Sequence, residues 1–167
     1  EMRGDEPDDQ YVGGNDVMHG DTGNDFMIGG YDDDFVYGDA GNDLIGDTYM
    51  DRGSGNDTLS GGDGNDRILS IDGVDKIFGD AGDDLLEVLG DPSGWMPGFV
   101  DGVVEIHGGS GVDTLKPYLG WTGTRDFVGI VGVIDGIERI DLESSGAVNW
   151  TLTAADIRTM SDTDKIT

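Results

Sequence analysis

Nine aspartates stand at one phase of a nine-residue period: Asp16, Asp25, Asp34, Asp43, Asp57, Asp66, Asp75, Asp84 and Asp113. Carboxylates gathered with carbonyls, and without His or Cys, offer oxygen alone, which suits a hard cation. Ca2+ is favoured over Mg2+ because it accepts about six to eight oxygens in irregular geometry, whereas Mg2+ requires a tight octahedron. The composition agrees. Thirty-six Asp and Glu against nine Lys and Arg give a net charge of −27 over 167 residues. Such a chain repels nucleic acid and anionic membrane and leaves cations as its natural ligands. With no cysteine, disulfides and thiolate metal sites are excluded.

The elements that must position these carboxylates follow from the period. From Tyr11 the chain reads YVGGNDVMH, GDTGNDFMI, GGYDDDFVY and GDAGNDLIG. Residues 47–51 interrupt it, and RGSGNDTLS, GGDGNDRIL, SIDGVDKIF and GDAGDDLLE continue from Arg52. A ninth copy, GGSGVDTLK, stands at 108–116. Position six is always Asp, and position eight is always apolar: Met18, Met27, Val36, Ile45, Leu59, Ile68, Ile77, Leu86 and Leu115. Composition alone allows a solvated acidic tail, since residues 1–91 hold 19 of the 31 glycines and a net charge of −21. A disordered tail has no reason to place an apolar residue at one phase of nine copies.

Each copy divides into a six-residue turn and a three-residue strand whose middle side chain points inward. Glycine at position four, and often at one or two, suits backbone angles closed to other residues. One copy cannot bury its single apolar residue, so copies must stack as a solenoid, two to a coil. Met18, Val36, Leu59 and Ile77 then form one inner row, and Met27, Ile45, Ile68 and Leu86 the other. The fold expected is all-β, a right-handed parallel β-roll with a C-terminal β-rich cap and one short helix. Residues 1–91 are the roll, 88–107 an inserted loop, and 108–167 the ninth copy plus the cap.

GDTGNDFMI, GGDGNDRIL and GDAGNDLIG resemble the nonapeptide of the RTX (repeats-in-toxin) family, a parallel β-roll that binds Ca2+. The resemblance implies an ion between each copy and the copy two further on, held by the position-six aspartates and by turn carbonyls. Those carbonyls are of Gly14, Gly20, Gly23, Gly29, Gly38, Gly41, Gly55, Gly61, Gly64, Gly73, Gly79 and Gly82. The implied pairs are 16/34, 25/43, 34/57, 43/66, 57/75 and 66/84. A seventh, 75/113, follows if residues 88–107 loop out of the stack. Two copies depart from the pattern. Asp32 replaces the fourth glycine of its copy, and Ser70 and Ile71 replace both leading glycines of another. Sites using Ser70 and Asp75 are therefore expected to be weakest or empty.

Extracellular-type Ca2+ modules bind at about 10⁻⁴ to 10⁻³ M. An ion at ten times its Kd stabilises by roughly 1.4 kcal/mol, so six give about 8 kcal/mol, comparable to the stability of a whole domain. Folding is then conditional on the ion. The resemblance further implies a bacterial protein exported unfolded by type I secretion, with this chain a segment of a larger surface or secreted polypeptide. IERIDLESSGAVNWTLTAADI is similar to segments of large RTX adhesins.

Other features carry less. Trp95, Met96, Phe99, Tyr118 and Trp121 suit packing over the roll, the alternative being a glycan or surface ligand of an adhesin. His19 and His107 are far apart in sequence, and His19 takes an outward strand position. Beyond 117, Asp126 to Ile134 and Gly136 to Leu142 read as strands, and Val148, Trp150 and Leu152 alternate with polar residues. Thr153 to Asp156 resembles a capping box opening a helix to about Met160. The longest apolar stretch, Phe127 to Ile134, falls far short of the ~20 residues of a membrane span. Neither HExxH nor GxSxG is present, and the carboxylates are absorbed as ion ligands, so a non-enzymatic module is expected rather than an auxiliary part of a secreted enzyme. The outward positions form no regular Thr ladder, against an ice-binding surface.

Overall fold

A computed structural model describes residues 2–3, 14–46, 55–71, 73–89, 105–118, 124–126, 134–141 and 149–151. Every regular element among them is a strand. In chain order they are β1 (Met2–Arg3), β2 (Val17–His19), β3 (Phe26–Ile28), β4 (Phe35–Tyr37), β5 (Leu44–Gly46), β6 (Thr58–Asp63), β7 (Arg67–Ile71) and β8 (Lys76–Ala81). There follow β9 (Leu85–Leu89), β10 (Glu105–Ser110), β11 (Thr114–Tyr118), β12 (Thr124–Asp126), β13 (Ile134–Asp135), β14 (Arg139–Ile140) and β15 (Asn149–Thr151).

Successive strands alternate between two parallel sheets, as a period of two copies per coil requires. One sheet runs β1-β3-β5-β7-β9-β11-β14 and the other β2-β4-β6-β8-β10-β13. Position eight stacks on position eight throughout: Met18 on Val36, Val36 on Leu59 and Leu59 on Ile77, and across the roll Met27 on Ile45, Ile45 on Ile68 and Ile68 on Leu86. The parallel β-roll and both inner rows are thus as the repeat dictates. These residues are almost wholly buried and form the hydrophobic core with Ile106, Leu115, Ile134 and Ile137. Burying one such side chain contributes about 1.5–3 kcal/mol, and each does so only through its neighbours above and below. The five-residue interruption at 47–51 leaves the register intact: Val36 pairs with Leu59 and Ile45 with Ile68.

The segment 88–107 is not only a loop. Its last residues enter β10, which lies on β8 with Ile106 opposite Ile77. A strand half, Glu105-Ile106-His107, therefore completes a coil, and the copy at 108–116 lies on β9, with Leu115 opposite Leu86. The stack continues past that copy. Ile134 lies on Ile106 and Ile140 on Leu115, joined by a turn of only three residues, 136–138. At the other end β1 pairs with β3, Met2 opposite Met27. Of the strands expected at 126–134 and 136–142, residues 127–133 and 142 lie outside the described residues; Asp126 ends β12, Ile134 opens the two-residue β13, and the second is cut to β14 because 136–138 form a turn. β12 and β15 form a separate parallel pair. The helix expected at 153–160, and Trp95, Met96, Phe99 and Trp121, lie outside the described residues.

Candidate metal centres

Because turns alternate with sheets, the roll has two edges. Turns opening at Gly20, Gly38, Gly61, Gly79 and Gly108 lead into the seven-stranded sheet and carry Asp25, Asp43, Asp66, Asp84 and Asp113. This is the first edge. Turns leading into β2, β4, β6 and β8 carry Asp16, Asp34, Asp57 and Asp75 and make the second.

On both edges each position-six carboxylate reaches back one coil. Oδ1 of Asp43 accepts the backbone N–H of Asp25 at 2.8 Å, Asp66 that of Asp43 at 2.8 Å, Asp84 that of Asp66 at 2.8 Å and Asp113 that of Asp84 at 2.9 Å. On the second edge Asp34 accepts from Asp16 at 2.8 Å, Asp57 from Asp34 at 2.8 Å and Asp75 from Asp57 at 2.9 Å. The six implied pairs are therefore all adjacent. The conditional seventh is not formed: the extra strand β10 shifts the parity by one copy, so Asp113 faces Asp84 instead of Asp75. Glu138 takes the next place, its Oε2 accepting the Asp113 N–H at 2.9 Å.

The second carboxylate oxygen is the one that matters for chemistry. Oδ2 of Asp43, Asp66 and Asp84 is buried without a hydrogen-bond partner, on residues only 2–3% exposed. Each lies against the position-one glycine of its own copy. A Cβ on Gly79 would sit 2.5 Å from Asp84 Oδ2 and still closer to the Gly108 carbonyl oxygen. Gly38 and Gly61 are bounded alike, by Asp43 Oδ2 and the Gly61 carbonyl and by Asp66 Oδ2 and the Gly79 carbonyl. Gly20 lies under the Gly38 carbonyl and Asp25 Oδ2, the latter at 3.2 Å. Each glycine thus floors a small oxygen-lined cradle, and points in it lie at about the 2.3–2.6 Å that Ca2+ keeps from its ligands. The residues fit a calcium ion. Among the described residues no three acidic or imidazole side chains converge on one point, so carbonyls must supply most of the donors.

The other glycines serve the stacking. The carbonyls of Gly23, Gly41, Gly64 and Gly82 press on the Cα of Gly41, Gly64, Gly82 and Gly111, too close for any Cβ. On the second edge Gly55 does the same to Gly73, Gly29 stands 2.6 Å (as a Cβ) from Asp34 Oδ2, and Gly14 has open space around it. Asp32, at the position of the fourth glycine, takes a left-handed conformation with φ 68°, which a short polar side chain tolerates.

Burial of the carboxylates has an electrostatic consequence. Desolvation pushes Asp84 up to about 7 and Asp57 up to about 6, against the lowering effect of a backbone N–H bond, with Asp113 and Asp66 raising Asp84 further and Asp75 and Asp33 raising Asp57. Asp43 and Asp66 are raised for the same first reason. A cation removes that penalty by supplying the charge that water no longer screens.

Copy seven differs. Ser70 stands where the other copies with a described first residue have glycine, and its hydroxyl donates to Asp75 Oδ2 at 2.5 Å, with both residues buried. That bond falls at the site expected to be weakest or empty.

Sequence reasoning missed a second ladder. Position five is Asn or Asp in seven of the nine copies, and its Oδ1 accepts the N–H of the next coil. Asn24 serves Asn42 at 2.9 Å, Asn42 serves Asn65 at 2.7 Å, Asn65 serves Asp83 at 2.9 Å and Asp83 serves Val112 at 2.9 Å. Position five bonds upward and position six downward, so the edge is locked in both directions. Both histidines are paired and stacked: His19 with Asp39 (3.0 Å) and Tyr37, His107 with Asp135 (2.6 Å) and Phe78.

Parallel two-sheet coiling with a stacked aspartate at every turn defines a calcium-binding β-roll. The model of the RTX calcium-binding nonapeptide repeat, in four-copy units, matches residues 12–45 and 51–86. These repeats belong to that family, and the chain carries a calcium-binding RTX module. No curated protein and no solved structure matches the chain. No helix among the described residues is long and apolar enough to cross a membrane.

Proposed function

We propose that the chain is a non-catalytic module whose roll assembles when Ca2+ at extracellular concentrations fills the cradles, and that it supports type I secretion and folding of a larger bacterial surface or secreted protein. The observation that carries this reading is the file of buried, unpartnered Oδ2 atoms on Asp43, Asp66 and Asp84. An uncompensated buried carboxylate is costly, and three in line make the ion-free roll unfavourable. Asp25, Asp43, Asp66 and Asp84, with the carbonyls of Gly38, Gly61, Gly79 and Gly108, would hold ions along the first edge; Asp34 beside Gly29 is the matching position on the second. A bound divalent ion supplies charge compensation and cross-links neighbouring coils. At cytosolic Ca2+ the same residues repel one another, which keeps the chain unfolded for export.

Circular dichroism and size-exclusion chromatography in chelator and in millimolar Ca2+ test this. The expected outcome is an expanded, strand-poor chain that compacts on adding Ca2+ and responds much less to Mg2+. A chain fully folded in chelator would sink the reading.

A further inference from the structure

We propose that the seventh copy closes its turn with a hydroxyl in place of a cation, so that the roll contains an ion-free rung at Ser70 and Asp75. The inference rests on the reading that the other cradles take Ca2+, and it assigns to this one a different occupant.

In the other copies whose first residue is described, position one is glycine, and the space where its Cβ would stand is bounded by the Oδ2 of the same copy's aspartate, for instance 2.5 Å away at Gly79 and 2.6 Å at Gly29. That space is the cradle. In the seventh copy a side chain occupies it. Ser70 Oγ lies 2.5 Å from Asp75 Oδ2, with Ser70 4% and Asp75 1% exposed. The hydroxyl hydrogen between the two oxygens satisfies the carboxylate oxygen whose counterpart on Asp43, Asp66 and Asp84 has no hydrogen-bond partner, and charge-assisted O–H···O⁻ bonds of this kind are short and strong. With the hydroxyl hydrogen directed at Oδ2 and the serine side chain standing in the cradle, the space that the glycine copies leave open is filled. The backbone is tied as well. Ser70 and Ile71 extend β7 and pair with Val88 and Leu89 of β9, and Ile71 is buried where seven of the other eight copies carry Gly or Asp. The rung thus has a hydrogen-bonded side chain, a sheet ladder and an apolar anchor, none of which needs calcium.

The test counts calcium per chain by equilibrium dialysis with atomic emission on wild type, Ser70→Gly and Ser70→Ala. Ser70→Gly reopens the cradle and should bind one more Ca2+ than wild type, while its residual structure in chelator falls. Ser70→Ala removes the hydroxyl but keeps the Cβ in the cradle. It should bind the wild-type number of ions and melt at lower temperature in chelator. An unchanged count in folded Ser70→Gly overturns the inference, and so does a Ser70→Ala chain that loses an ion, since that would make Ser70 part of a calcium site. A wild type that binds no calcium at all overturns the proposed function and this inference with it, whereas calcium binding by wild type alongside either failed variant overturns the inference alone.

Discussion

The two edges of the roll are built from the same nonapeptide, yet they are not equivalent. The first edge repeats Gly at positions one and four from Gly20 to Gly111 without exception, and its cradles at Gly38, Gly61 and Gly79 are alike. The second begins each described turn differently, with Gly29 in one copy and Ser70 in another, and carries Asp32 in place of a glycine. The difference shows what the glycines are for. Where they are kept beside Asp43, Asp66 and Asp84, the second carboxylate oxygen is buried and unpartnered, which suits the cation the proposed function places there. Where one is replaced by serine, the protein's own hydroxyl takes over and the dependence on the ion is relieved.

The largest expected effect comes from filling the first edge. Gly41→Ala would place a Cβ against the Gly23 carbonyl at a left-handed backbone position. We expect a loss of about 3 kcal/mol or more, read as failure to fold at Ca2+ concentrations that saturate wild type. Gly14→Ala on the second edge meets nothing within 4 Å and should stay within about 0.5 kcal/mol of wild type. Equal effects of the two would remove the asymmetry.

Next in size are the carboxylates. Asp66→Asn keeps the Oδ1 acceptor for the Asp43 N–H but removes a charge from a cradle. The half-saturating Ca2+ concentration for folding should rise about tenfold, because ligand charge sets affinity in such sites. Asp75→Asn, whose carboxylate is held by Ser70, should leave the number of bound ions unchanged in the same titration.

Protons give a third comparison. Asp84 and Asp57 sit at about 7 and about 6 in the folded chain, against 3.8 for an ordinary aspartate. The folded form therefore binds more protons than the unfolded form between about pH 4 and pH 7, and its stability without calcium rises as pH falls through that window. Calcium affinity should move the opposite way, weakening below pH 7 as protons compete for the same oxygens. Melting in chelator at pH 5 and pH 7.5 checks the sign. Asp84→Asn on the first edge should flatten the pH dependence more than Asp57→Asn on the second.

The smallest effect belongs to the position-five ladder. Asn65→Ala leaves the Asp83 N–H without its side-chain acceptor on the exposed rim and should cost about 1 kcal/mol. Because that atom lies outside the cradle, the calcium count should not change.

Much of this was legible in the residues themselves. A period of nine with apolar position eight permits only stacked coils with alternating inner rows, and Met18 to Leu86 fall into those rows because a three-residue strand has one inward side chain. The aspartate pairs up to 66/84 follow from the same arithmetic. Glu105-Ile106-His107 escaped it because the strand half of the nonapeptide has no marker beyond one apolar residue, while the Gly and Asp signature resides wholly in the turn. The three-residue turn before Arg139 escaped for the same reason, with Glu138 in the aspartate's place.

By itself, then, the sequence determined the period, the parallel roll and the oxygen-only character of the ligands, since these depend on local spacing and on which atoms the side chains bring. Only the tertiary structure decided that Asp113 faces Asp84, that five turns form one uniform edge, and that Ser70 fills the space its neighbours leave for an ion. Those are matters of parity and of distances near 2.5 Å in the folded turns, and parity depends on every strand in the stack, including those without a signature.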